Sequence, residues 1–265
     1  MGLYTMVAWR SLRRHATYRA ATAAGAFTNT IFGFIRAYIL IALWTQHPNL
    51  GGYDLTAAVT FCFLGQSLIA AVGAFLPTVS VELTERIRNG DIAIDLFRPA
   101  DFQGWWLSHD LGRAVHALVF RGLPPLLIGA VFFDLTWPAG WRVVAVVVSI
   151  ALAIVVSFGL RYLVTLTAFW LLDDAGPGAM AMFAGTFLSG LLIPLVLLPG
   201  WLGIVARSTP WAATIQSPSD IWLGVYGGAG TLAILGLQVF WAVLLLLTGR
   251  RLTERARRRV VVQGG

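Results

Sequence analysis

Six apolar stretches separated by mostly short polar segments dominate this sequence and leave few folds open to it. They run from about Ala20 to Trp44, Leu55 to Phe75, Val115 to Phe133, Val143 to Leu172, Ala179 to Leu198 and Val225 to Leu247. A spanning helix needs roughly 20 apolar residues, so the stretches predict six crossings and leave little chain for a soluble domain. A soluble core would not use 58% hydrophobic residues against 12% charged ones; lipid accommodates the surplus. The expected fold is an all-α membrane protein with six transmembrane helices, residues 1–265 forming one multi-pass domain in the cell (inner or plasma) membrane.

A net charge of +7 raises the question of nucleic acid, but all 19 basic residues are arginines and their positions follow the apolar stretches. With the N-terminus inside, the cytoplasm receives Arg10, Arg13, Arg14, Arg19, Arg86, Arg88, Arg98, Arg113, Arg250, Arg251, Arg255, Arg257, Arg258 and Arg259. Only Arg142 and Arg207 fall outside. The basicity is therefore an orientation signal that predicts both termini in the cytoplasm, and no nucleic-acid partner is expected.

Residues 1–19 mix Arg10, Arg13, Arg14, His15 and Arg19 with Leu3, Met6, Trp9 and Leu12, too charged to span but helical in period. They predict an interfacial amphipathic helix. No cleavage pattern follows the first apolar stretch, so the N-terminus is expected to stay attached. At the other end, residues 249–265 carry the last helix into a basic cytoplasmic tail suited to anionic headgroups. The lone Cys62 excludes an intrachain disulfide and reads as a small buried side chain. The chain has no lysine, which excludes a phosphate-binding Walker loop, Schiff-base chemistry and kinase chemistry.

Two longer segments interrupt the pattern. Residues 78–110 contain a charged helix, Val81 to Arg88, stopped by Asn89-Gly90 and followed by an extended piece ending at Arg98-Pro99. Its mixed charge with interleaved apolar residues suits a protein-docking surface; a solvated extension of the second span is the other reading. Residues 199–223 are nearly as apolar as the spans. They predict an external re-entrant pair of short helices, broken at Pro199-Gly200, Thr209-Pro210 and Pro218, with protein covering the broken backbone.

This order of parts, with the stretches Glu82 to Asp91, Leu96-Phe97-Arg98-Pro99 and Ser189 through Ile193-Pro194 to Leu198-Pro199, resembles the type-2 ATP-binding-cassette permeases. The resemblance implies a transmembrane permease domain driven by separate nucleotide-binding ATPase subunits, which would hold ATP and magnesium. Glu82, Glu85, Arg86, Arg88, Asn89 and Asp91 would then belong to a coupling helix seated on the ATPase. Residues 1–19 would be a connecting helix, and Asp173-Asp174-Ala175-Gly176-Pro177 a second contact. A second permease subunit is implied, a heterodimer being favoured over a homodimer. The function implied is outward transport of an amphipathic or hydrophobic solute.

Three arginines lie within apolar stretches: Arg36, Arg121 and Arg161. An arginine at mid-bilayer costs roughly 2.5–3.5 kcal/mol on insertion scales, so each needs a partner or a task. With Asn29 and Gln66 they are the intramembrane pathway candidates. Arg36 either meets an anionic group of a lipid or solute, or pairs with carbonyls, Asn29 or Gln66. Arg121 either snorkels or donates to carbonyls freed by a break at Gly122-Leu123-Pro124-Pro125. Carboxylates, including Asp110 and Asp220, fall at ends or in loops, which argues against proton or sodium coupling. The four histidines lack metal-ligand spacing and no hydrolase motif is visible, so neither cofactor, metal nor catalytic residue is expected in this chain. A membrane-embedded lipid-modifying enzyme and an uncoupled channel or scaffold subunit are the alternatives. Phe32, Phe34, Phe61, Phe63, Phe183 and Phe187 suit an apolar solute, or packing alone.

Overall fold

The computed structural model describes residues 2–73, 79–171 and 173–263, and among these the regular structure is all helical, with no strand. Phe75 at the end of the second apolar stretch, Pro77 and Thr78 at the start of the charged segment, Leu172, the last two residues of the tail and the side chain of Arg259 lie outside the described residues. Among the described residues five helices are long and apolar enough to cross a membrane: Arg19–Gln46, Leu55–Val72, Phe102–Phe132, Trp141–Leu171 and Gly228–Arg258.

The chain begins with α1 (Leu3–Ala16), which turns at Thr17-Tyr18 into α2 (Arg19–Gln46). Exposed Leu3, Met6 and Trp9 accompany exposed arginines on α1, as an interfacial helix requires. The helix α3 (Leu55–Val72) starts where the Asp54 carboxylate accepts from the Ala57 N–H at 2.7 Å, and it stops at Gly73 in the left-handed region. It is the most deeply buried span.

The charged segment forms α4 (Val79–Arg88), ended by Gly90 at φ +79°, and then α5 (Ile92–Leu96). The extended piece expected after Asn89-Gly90 is thus a short helix. Five residues cannot sustain a helix by propensity; α5 is held from outside, by Asp95 accepting from Arg86 and Arg98.

The third span joins α6 (Phe102–Ala117), a π-helical turn (Leu118–Gly122) and α7 (Leu123–Phe132). Pro124 and Pro125 do not break it. They fall at the start of α7, and the wider turn before them absorbs the mismatch in hydrogen bonding. A methyl group at Gly122 would strike the Ser67 carbonyl, so this turn lies against the backbone of α3.

The fourth span is α8 (Trp141–Leu166), continued by α9 (Ala168–Leu171). The fifth apolar stretch departs from expectation, because α10 (Ala175–Leu188) has only 14 residues, about 21 Å, short of a 30 Å hydrocarbon core. Gly190 at φ +82° and Pro194 end helical continuation. The loosened backbone is covered by protein: Gln216 N–H donates to the Ser189 carbonyl at 3.0 Å, and the Gln216 Oε1 accepts from Leu195 N–H at 2.9 Å.

Two short helices follow, α11 (Gly200–Ser208) and α12 (Gln216–Leu223), before α13 (Gly228–Gln263) carries the last apolar stretch straight into the basic tail. Pro199 and Thr209 flank α11 as expected, but Pro218 does not interrupt the chain. It sits in the first turn of α12, where no intrahelical N–H is needed. Asp220 is not a loop carboxylate either. It is 3% exposed, accepts from Tyr53 Oη at 2.6 Å and Gln216 Nε2 at 2.7 Å, and faces Arg207 at 3.4 Å.

Candidate functional site

One end of the bundle gathers α1, α4, α5, the start of α6 and the arginine-rich end of α13. Its core joins Leu83, Ile92, Phe102, Trp106, Tyr162, Phe169 and Ala256. α4 is clamped there on three sides. Glu82 accepts from Arg14 of α1 at 3.0 Å, Arg86 makes a two-point bond to Asp95 of α5, and the buried Thr84 hydroxyl donates to Asp174 at 2.8 Å, just before α10. The exposed Arg14–Glu82 pair contributes little; the fork on the buried Asp95 carboxylate is the stronger tie and raises the Arg86 pKa above its ordinary value.

The opposite face of this unit is open. Glu85, Arg88, Asn89 and Asp91 are exposed, and beside them Ile94 is 63% and Phe97 85% exposed. The six charged-segment candidates therefore divide: Glu82 and Arg86 hold the unit together, and the other four face outward. Asp95 and Ile94 were not singled out from sequence, and Phe97 entered only within the Leu96-Phe97-Arg98-Pro99 stretch, not as a docking residue, although an apolar residue stranded beside Arg98-Pro99 is the signal that could have pointed to it.

The helix bundle holds two different arginine sites. In the first, Asp110 is fully buried; its carboxylate accepts from Arg113 Nε at 2.7 Å and from Arg161 Nη1 and Nη2 at 3.2 and 2.7 Å. Arg113 also donates to the carbonyls of Ala70 and Ala71. Neither Asp110 nor Arg113 belongs to a loop, as their places near the end of an apolar stretch suggested; both are inside α6. Their i,i+3 spacing was the available signal.

In the second site, Arg36, Asn29, Gln66 and Arg121 come together around a cavity of about 410 Å³ between α2, α3, the π turn and the end of α10. Arg161 is not on it. Arg161 lines a second cavity of about 400 Å³ bounded by α8, α10 and Trp211, and Thr186 of α10 is common to both. Arg36 donates to the Leu192 carbonyl at 3.1 Å, and Asn29 to the Gln66 carbonyl at 3.3 Å. Arg121 does not use carbonyls freed by the prolines. Its buried Nε has no hydrogen-bond partner among the described residues. Phe34, Phe61 and Phe63 are packing residues, Phe34 and Phe63 meeting edge to face at 5.6 Å, whereas Phe32, Phe183 and Phe187 are exposed.

His15, His109 and His116, distant in sequence, gather with ring centroids 6.2 Å apart for His15–His109 and for His15–His116. Among the described residues no group of three His, Cys, Asp or Glu side chains is placed to hold a metal ion.

A bundle of long apolar helices with paired cavities and a clamped polar cap defines a polytopic membrane protein. The chain matches the family model described as ABC-2 family transporter protein over residues 30–264, nearly its whole length, and belongs to that family. Membership makes it a permease component of an ABC transporter, a class typically non-catalytic and served by ATPase partners. Comparison with curated proteins and with solved structures finds no match.

Proposed function

We propose that this chain is the membrane subunit of an ATP-driven exporter in the cell (inner or plasma) membrane, moving an amphipathic or hydrophobic solute outward. In this reading the chain crosses the bilayer six times, with α10 and the covered backbone after it making the fifth crossing. Both termini are cytoplasmic, and α11–α12 re-enter from outside. ATP and magnesium bind in the partner ATPase, and a second permease subunit, preferentially a different chain, completes the pathway.

The observation that carries this reading is the clamp on α4. Its outward face, with Glu85, Arg88, Asn89, Asp91, Ile94 and Phe97, suits a partner with a groove for an apolar anchor inside a polar rim. Its inward face is bonded through Thr84 to Asp174, and α10 beyond Asp174 has no buried residue while walling both cavities. Closure of the ATPase would displace α4, and the Thr84–Asp174 bond would pass that displacement to the most loosely packed helix. The two ATPase states then bias the cavity through their different contacts with α4.

Phe97→Ala should weaken association with the ATPase subunit by about 2 kcal/mol, roughly thirty-fold, while insertion is unchanged. Co-purification of the tagged chain with a co-expressed ATPase measures this, and full recovery of the ATPase by Phe97→Ala would count against the assigned face. Thr84→Val keeps shape and removes one hydrogen bond. It should leave ATPase binding intact while lowering solute-stimulated ATP hydrolysis; unchanged stimulation would remove the Thr84–Asp174 route. Arg86 is a poor choice for charge reversal, since that change dismantles α5 as well.

A further inference from the structure

The cavity that holds Arg36 and Arg121 has a chemistry that its own protein groups leave unfinished. Among the described residues neither guanidinium has a carboxylate partner, and together they make one hydrogen bond, Arg36 to the Leu192 carbonyl. The buried Gln66 side chain lines the same space and bonds no described residue. Two half-buried cations in a mostly apolar wall, with most donors idle, form an arrangement that an anion would complete.

One guanidinium also has a prepared seat. Arg121 packs onto α2 at Gly25, where a methyl group would collide with its Nε, Cζ and Nη2. Arg36 passes beside Gly65 of α3, where a methyl carbon would stand in ordinary contact, 3.6 Å from its Nη1. Gly25 and Arg36 are 11 residues apart on α2, about 16 Å along the axis, with Asn29 between them and Gln66 opposite.

The walls decide the class of anion. Apart from these polar groups and Thr28 and Thr186, whose hydroxyls donate to carbonyls of their own helices, the lining is apolar, and Phe32 of α2 on it is 53% exposed. At about 410 Å³ the space falls in the range of roughly 300–1,000 Å³ typical of small-molecule sites. A small hydrated anion would lose its water to apolar walls; an anion with an attached alkyl chain would leave that chain against Phe32 and the lipid.

We propose that this cavity binds the anionic headgroup of an amphiphile, a phosphate or carboxylate on an apolar chain. Arg121 and Arg36 form two headgroup stations at its ends, and Asn29 and Gln66 are polar rungs between them. Movement from one station to the other rests on the exporter reading; binding does not.

The test is a calorimetric titration of the full chain in phosphatidylcholine nanodiscs with dodecyl phosphate, corrected with empty nanodiscs. Dodecyltrimethylammonium and inorganic phosphate serve as parallel ligands. Saturable binding of dodecyl phosphate is expected, about ten-fold weaker in Arg36→Gln and in Arg121→Gln. Gly25→Ala, which takes the seat of Arg121 without removing a donor, should weaken it similarly. The alkylammonium should show no saturable site, and inorganic phosphate should bind far more weakly than its dodecyl ester. Wild-type affinity in both arginine variants, each giving an unshifted melting curve or one shifted no more than a lost hydrogen bond predicts, would overturn the proposal. So would equal binding of the cation, and equal binding of inorganic phosphate would overturn the amphiphile class. Failure of the ATPase to co-purify would sink the exporter reading and leave this binding result untouched.

Discussion

Arg161 and Arg121 are the same residue type set in the same kind of apolar stretch, and the fold treats them in opposite ways. Arg161 reaches a fully buried carboxylate that Arg113 shares, so the charges at Asp110 are largely answered within the protein. Arg121 and Arg36 face a cavity in which no carboxylate stands within ion-pair reach among the described residues. The difference separates charges that hold helices together from charges left available. α3, α6 and α8 meet at the first site, where Arg113 also ties the Ala70 and Ala71 carbonyls. α2 and the exposed α10 border the second.

If that division is right, substitutions should fall in a graded series. The largest effect belongs to Asp110→Ala, which takes the shared buried carboxylate from two guanidiniums. Removing one partner of a buried ion pair costs about 3–5 kcal/mol, so the variant should be poorly recovered from membranes and melt early in detergent. A wild-type melting curve would break the comparison at its stronger side.

Arg161→Gln comes next. Asp110 keeps Arg113, but the two-point bond from Arg161 is lost, and hydrogen bonds to charged groups contribute about 1.5–3 kcal/mol. Denaturation of the chain in nanodiscs should place this variant between wild type and Asp110→Ala. Third is Arg36→Gln, which gives up one bond to a carbonyl, a net effect of about 0.5–1.5 kcal/mol. A loss as large as that of Arg161→Gln would make Arg36 structural and erase the contrast.

How much of this could be read in the chain beforehand depends on the range of the forces involved. Apolar length and arginine placement are local in sequence, and they announced a helical membrane protein, the amphipathic α1 and the long last helix. The charged segment was recognisable because Asn89-Gly90 is a helix stop in any context. The tertiary ties were not legible. Arg161 lies 51 residues from Asp110, and Thr84 lies 90 residues from Asp174. The helix at Ile92–Leu96 exists through Asp95, whose partners are set by packing. The fifth stretch looked like one continuous helix because composition is blind to covered backbone, which Gln216 supplies from 21 residues beyond Leu195. Within the site, the sequence named Arg36, Asn29, Gln66 and Arg121 separately; their common cavity is a product of the fold.

Arg121→Gln is the smallest expected effect and the sharpest discriminator. Among the described residues its guanidinium makes no hydrogen bond or ion pair, and its Nε is buried without an acceptor, so its removal takes away an uncompensated desolvation as much as a contact. The change in stability should lie within about 0.5 kcal/mol of wild type, in either direction. Packing of the guanidinium over Gly25 is a stabilising contact at risk, and glutamine retains part of the chain that makes it. A thermal melt of Arg121→Gln beside Asp110→Ala in the same nanodiscs therefore compares one arginine lost with two arginines deprived of their carboxylate. Equal destabilisation would mean that Arg121 is held by the fold as firmly as Arg161, and the division between structural and available charge would have to be abandoned.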